Sequence, residues 1–255
     1  MSKVTAIVLA GSRPGGDPLA KAHGAQLKAL ITVDGKPMVR RPVDALLESD
    51  EIGEIRVLSQ RPELLKPVLP RSKRVSIEQS GDTIAATLEA YCFDPKVEWP
   101  LLVTTADHAL LTSEMIEDFL SLARRGDIAV GVVEKRNLMY RLPQSERTWI
   151  KFRGGAYSGA NLFLLASPRV LPALELWRSA EQGRKKPWRL LSVLGPLNLL
   201  GALLRLRTID QTLGTVGSKL GLNAIAVELA DPLAAVDVDK PGDHALVEAI
   251  LEGKA

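Results

Sequence analysis

Residues Val4 to Met38 read VTAIVLAGSRPGGDPLAKAHGAQLKALITVDGKPM, and this stretch sets the fold class. Val4 to Ala10 is a continuous apolar run of strand length, the pattern of a strand covered on both faces. A glycine-rich turn with Gly11, Arg13, Gly15 and Gly16 follows, then Lys28, and Gly35-Lys36-Pro37 is predicted to open a helix. A strand that feeds a basic, glycine-containing loop suits phosphate. Glycine lets backbone N–H groups approach an anion, and Arg13 and Lys28 offset its charge. The expectation is a loop that takes a nucleoside triphosphate.

Beyond this stretch the first 134 residues keep alternating strand and helix. Met38, Val39, Val43, Leu46 and Leu47 give a helical apolar face, although Pro42 should kink that helix or delay its start. Ile55 to Ser59 reads as a strand, Arg61 to Arg74 as a loop with one helical turn, and Val75 to Glu78 as a third strand. Asp82 or Thr83 caps a helix running through Tyr91, with Ile84, Leu88 and Tyr91 inward. Leu101 to Thr105 is a fourth strand. Thr112 or Ser113 then caps a helix with Met115, Ile116, Phe119, Leu120 and Ala123 inward, and Ile128 to Val133 is a fifth strand. Strands and helices at this pace imply an α/β fold: a mostly parallel central sheet with helices on both faces.

The second half is less regular. Trp149 to Arg153 and Tyr157 to Leu165 read as a hairpin about Gly154-Gly155, and Ser167-Pro168 starts a helix towards Trp177. Asp210 to Leu220 is a helix stopped by Gly221. Ala224 to Glu228 and Ala235 to Val238 are predicted strands, and His244 to Leu251 a last helix. No internal repeat or linker appears, so a single domain over 1–255 is expected.

Composition narrows the function classes. The 255 residues are 46% hydrophobic and 25% charged with net charge +3, the balance of an ordinary globular chain with enough length for a full core. Basic residues are dispersed and aromatics are 4%, which argues against a nucleic-acid surface. The single cysteine, Cys92, excludes an internal disulfide and a cysteine-based zinc site, and its apolar helical setting predicts a buried, inert thiol. The first residues, MSKVTAIVLAG, are too short in apolar length for a signal peptide, and no run approaches a membrane span, so a cytoplasmic protein is expected.

Open parallel sheets bind ligands beyond the carboxyl ends of their strands. Four features fall at such ends: the glycine loop after the first strand, Gln79-Ser80-Gly81 after the third, Asp107 after the fourth, and Asp237-Val238-Asp239 near the terminus. Attack at the α-phosphorus of a triphosphate must overcome roughly four negative charges, and magnesium held by one or two carboxylates is the usual remedy. Asp107 and Asp239 are the candidate metal ligands. Strand alternation would put Asp237 on the same face, so it stays an alternative to Asp239. His23, His108 and His244 lack metal-ligand spacing and read as structural. No GxSxG, GxxxxGK[ST] or GxGxxG pattern is present.

Taken together, Leu9-Ala10-Gly11, the loop arginine, Lys28-Ala29-Leu30, Gly35-Lys36-Pro37-Met38, Thr104-Thr105-Ala106-Asp107 and Asp237-Val238-Asp239-Lys240-Pro241-Gly242-Asp243 resemble the signature of MobA-like and sugar-phosphate nucleotidyltransferases. The matches occur in the family's order over nearly the whole chain. The loop before Lys28 is longer than the family's compact LAGGxGxRxG, and the family's TPED reads Lys240-Pro241-Gly242-Asp243. The resemblance implies a Rossmann-related, GT-A-like fold and transfer of a nucleoside monophosphate from an NTP, with magnesium as cofactor. It implies catalytic roles for Arg13, Lys28 and Asp107. Leu9, Ala10, Gly11, Ser12, Arg13, Lys28, Gln79, Gly81 and Asp82 would contact nucleotide, in a half spanning residues 1–134.

The half spanning 135–255 would then bind the acceptor, small and phosphorylated or lipid-linked, through Tyr157, Ser158 and Asn161. Residues 185–207, KKPWRLLSVLGPLNLLGALLRLR, are the most apolar stretch; two buried helices are preferred to a segment lying on lipid or a partner interface. A GT-A glycosyltransferase and a non-catalytic nucleotide-binding protein are the rival readings. Pairing of Arg13 with Lys28 favours a triphosphate over a nucleotide sugar. The sequence carries no sign of an oligomeric state.

Overall fold

The computed structural model describes residues 3–11, 16–81, 83–94, 97–182 and 206–255. Its centre is β1 (Val4–Leu9), which pairs in parallel with β4 (Ile52–Ser59) on one side and β6 (Leu101–Thr105) on the other. β5 (Val75–Gln79) adds in parallel beyond β4. On the far side of β6 comes β9 (Gly155–Leu165), then β7 (Ile128–Glu134), then β10 (Ala224–Glu228). β9 runs antiparallel to both neighbours, while β10 and β7 are parallel. β8 (Ile150–Phe152) pairs with the start of β9 as the expected hairpin, turning at Gly154 with φ +96°.

Alternation along β1 explains why that run is apolar at every position. Val4, Ala6 and Val8 point into one core layer and Ile7 into the other. The first layer is covered by α2 (Arg40–Glu48) and α5 (Ser113–Ala123), with Met115, Ile116, Phe119, Leu120 and Ala123 all inward as the spacing predicts. α4 (Ile84–Cys92) and α7 (Leu171–Gln182) cover the second, through Leu88, Cys92 and Leu174. The remaining helices are α1 (Pro18–Ala22), α3 (Pro62–Leu65), α6 (Lys135–Arg141), α8 (Ile209–Lys219) and α9 (Pro241–Leu251). Thr83 and Thr112 are the caps of α4 and α5, each accepting a backbone N–H three residues on.

Two expectations are corrected. Gly35-Lys36-Pro37 does not open a helix. Asp34 and Gly35 both have positive φ, 45° and 73°, and turn a hairpin between β2 (Thr32–Val33) and β3 (Lys36–Pro37). The helix starts at Arg40, which puts Pro42 in its first turn, where a missing N–H costs nothing. Ala235 to Val238 is likewise no strand: Pro232–Ala235 forms a 3-10 turn, Val236 after it is extended, and 236–239 pair with no strand. Residues 185–205 of the apolar stretch lie outside the described residues. Among the described residues no helix is long and apolar enough to cross a membrane.

Cys92 is 5% exposed beneath α7, and burial pushes its thiol up to about 12. Alkylation with a thiol reagent at pH 8 is therefore expected to run about a hundredfold or more slower in native protein than in urea. Stoichiometric, rapid labelling of the native chain would show that this layer opens readily.

Candidate active site

Because β1, β4, β5 and β6 are parallel, their carboxyl ends share one edge of the sheet. Gly11 lies there beside Gln60, which follows β4; a Cβ on Gly11 would stand 2.9 Å from the Gln60 amide nitrogen. Gln60 donates through Nε2 to the Gly81 carbonyl at 3.2 Å, and Gln79 donates through Nε2 to the Gln60 carbonyl at 2.9 Å. Three predicted nucleotide contacts, Gly11, Gln79 and Gly81, are thus joined through a glutamine that sequence reasoning missed. The Leu9 carbonyl and Ala10 N–H are used in extending the sheet, bonding Ala106 and Leu58. Ser12, Arg13 and Asp82 lie outside the described residues.

Lys28 opens a 3-10 turn, Lys28–Leu30, anchored by buried Leu27, Ala29 and Ile31. Its ammonium donates to Asp107 Oδ2 and to Asp239 Oδ1, both at 2.6 Å. The three residues come from the first loop, the end of β6 and the far end of the chain. Thr105 Oγ1 donates to the other Asp107 oxygen at 2.5 Å. Burial pulls the Lys28 pKa down, but the Asp107 and Asp239 carboxylates outweigh it, so the net direction is upward and the ammonium is held charged.

The segment bearing Asp239 is tied to β6 by the backbone, since Val238 N donates to the Asp107 carbonyl at 3.1 Å. Asp243, in the first turn of α9, accepts from the N–H groups of Asp239 and Lys240, each at 3.1 Å. Lys240 reaches Glu146 at 2.5 Å. An open cleft of about 360 Å³ borders Asp239, lined by Asp17, Pro18, Leu19, Asp239, Lys240 and Pro241.

Asp237 and Asp239 do not share a face, because no strand runs through them. Asp239 has a 54% exposed side chain and meets Lys28, whereas Asp237 is buried and meets Arg147 and Asn161. Burial pushes Asp237 upward and its Arg147 ion pair opposes the shift. The three predicted acceptor contacts also separate. Asn161 donates through Nδ2 to Asp237 Oδ2 at 3.0 Å, Ser158 is buried in β9, and Tyr157 lies in the hairpin near Phe152. His108 is fully buried next to Asp107; desolvation lowers its pKa to about 4, against the Asp107 charge, so the ring is neutral at pH 7.

Two carboxylates that share one cation form a donor set suited to a divalent ion. Among the described residues no group of three or more His, Cys, Asp or Glu is arranged to hold a metal. An ion at Asp107 and Asp239 would complete its shell with phosphate oxygens and water, as magnesium does in phosphoryl-transfer sites. The residues present fit that ion.

A family model for the MobA-like NTP transferase domain matches residues 6–196, which include the glycine loop, Lys28 and Asp107. Among solved structures, a hypothetical transferase from Thermus thermophilus superimposes with TM-score 0.79 at 28% identity, over 95% of this chain and 100% of that one. CMP:2-keto-3-deoxy-manno-octonic acid synthetase in complex with CTP gives 0.62 at 12% identity, covering both chains completely, 100% of each. The 4-diphosphocytidyl-2C-methyl-D-erythritol synthase of Anaerococcus prevotii gives 0.59 at 11% identity, over 98% and 96%. The last two likenesses speak to the fold, which is the GT-A-like fold of nucleotidyltransferases. Comparison with curated proteins yields no match. The family match and the sheet with its carboxyl-edge site agree on one class of enzyme, the nucleotidyltransferases: this chain belongs to the family of MobA-like NTP transferase domains.

Proposed function

We propose that this chain moves a nucleoside monophosphate from an NTP to a small phosphorylated acceptor and releases pyrophosphate, with magnesium required. The observation that carries the proposal is the Lys28 ammonium 2.6 Å from both Asp107 and Asp239, at the edge where a parallel sheet binds its ligand. Asp107 and Asp239 would hold the metal, which when bound lowers the charge barrier to attack on the phosphate. Lys28, relieved of the two carboxylates, would turn its charge to the phosphates, and the loop from Gly11 would offer backbone N–H groups to them.

An acceptor phosphate oxygen is already ionised at neutral pH. It forms a bond to the α-phosphorus as the bond from that phosphorus to the pyrophosphate oxygen breaks, and no protein base is needed. Orientation and charge neutralisation then supply the rate enhancement. CTP is the first nucleotide to test, because one structurally similar protein is seen in complex with CTP and another is named as the synthase of a diphosphocytidyl compound. Membership of an NTP transferase family favours this reading over a nucleotide-sugar glycosyltransferase.

Pyrophosphate release, assayed with each of the four NTPs and a panel of sugar and alcohol phosphates, is expected to need magnesium. Asp107→Asn should lower that rate about a hundredfold or more while the melting temperature stays near that of the parent. Full activity in this variant would remove the metal assignment. Lys28→Ala should also lose about a hundredfold in rate, with a smaller effect on stability. Its melting temperature should rise more on magnesium addition than the parent's, because Asp107 and Asp239 then lack their internal cation. An equal magnesium response in both proteins would count against the shared site.

A further inference from the structure

We infer that Arg147 is a positioning residue for Asp239: it fixes the chain two residues upstream, so that the Asp239 carboxylate stands beside Asp107. The inference rests on the reading of Asp107 and Asp239 as the metal carboxylates.

Arg147 belongs to the irregular segment between α6 and β8, and none of the sequence motifs includes it. Its side chain is 11% exposed and its Nη1 makes an ion pair with Asp237 Oδ1. The same nitrogen donates to the Asp237 backbone carbonyl at 3.4 Å. One guanidinium thus grips both the side chain and the main chain of Asp237. Asn161 takes the other carboxylate oxygen at 3.0 Å, so Asp237 is held from two sides.

The Asn161 contact depends on an uncommon backbone. Its φ is +49°, in the left-handed region, and the β7–β9 register shifts between Val130 and Val132 just opposite. A bulge that aims an amide at a buried carboxylate is a feature sheets use beside active sites. A buried ion pair is weak evidence of net stability, and one role such pairs serve is to hold a chain in a specific arrangement. From Asp237 the chain passes through Val238, bonded to the Asp107 carbonyl, to Asp239, whose N–H is bonded to Asp243. Arg147 therefore restrains the upstream end of a segment whose other two pins are already on the metal side.

Binding of Mn2+ alone, followed by electron paramagnetic resonance, tests the role independently of any acceptor. Arg147→Met is expected to weaken Mn2+ binding about 10- to 100-fold, the range for residues that orient metal ligands. Arg147→Lys should recover part of that loss, and Asn161→Ala should move binding the same way by less. Should Arg147→Met fail to fold, the other two variants decide by the same readout. A lower melting temperature with unchanged Mn2+ affinity in the folded variants would make Arg147 a stability contact alone and overturn the inference. Asp239→Asn is the control. If it binds Mn2+ like the parent, the metal reading itself fails; if it loses binding while the folded Arg147 and Asn161 variants keep it, the inference alone fails.

Discussion

The site depends on one electrostatic constraint: two carboxylates, 132 residues apart in the sequence, must be brought together around a single ammonium. Like charges repel, so neither Asp107 nor Asp239 settles there without a cation between them. Lys28 supplies it from a third part of the chain. The order of β1 and β6 as neighbours makes this geometry available, because the loop after one and the aspartate after the other leave the sheet side by side. The terminal segment then closes the arrangement through the Val238 to Asp107 backbone bond and the Asp243 cap.

Charge accounting gives the same picture. Lys28 and Arg147 are positive, and Asp107, Asp237 and Asp239 are negative, so these five groups carry one net negative charge. The cluster is therefore close to electrically balanced, with Lys28 shared between two carboxylates and Arg147 committed to the third. Asp237 stands apart from that sharing because both its oxygens are taken by Arg147 and Asn161. The two aspartates of one short motif thus have different work, one facing the cleft and one anchoring the chain.

Much of this architecture was legible from local pattern. The sequence predicts β6 at Leu101–Thr105 and all five inward residues of α5, because apolar periodicity and a threonine cap are signals carried by neighbouring residues. The Asp34-Gly35 turn is equally local: Pro37 suggests a helix start, but Asp34-Gly35 upstream marks a hairpin. Gln60, Arg147 and the Asn161 to Asp237 bond had no such signal. Each joins residues that only the completed fold brings together, and a lone arginine or glutamine in an irregular segment looks the same whether it is solvated or gripping a buried carboxylate. The strand expected at Ala235 to Val238 failed for a related reason: apolar composition there reflects burial in the core, without a partner strand to pair with.

The reversed direction of β9 has a consequence for how the chain acquires its shape. No hydrogen bond joins β6 to β7 directly, because β9 lies between them and pairs with both. A ribosome releasing the chain from its N-terminus therefore delivers β1, β4, β5 and β6 as one incipient sheet and β7 as an orphan strand. Their shared neighbour becomes available only once residues 155–165 have emerged. Until then two inner edges, β6 and β7, stand open to whatever extended peptide is nearby, the condition under which non-local sheets fold slowly and associate wrongly. Nascent chains paused before Leu165 would be the form of this protein most in need of a chaperone.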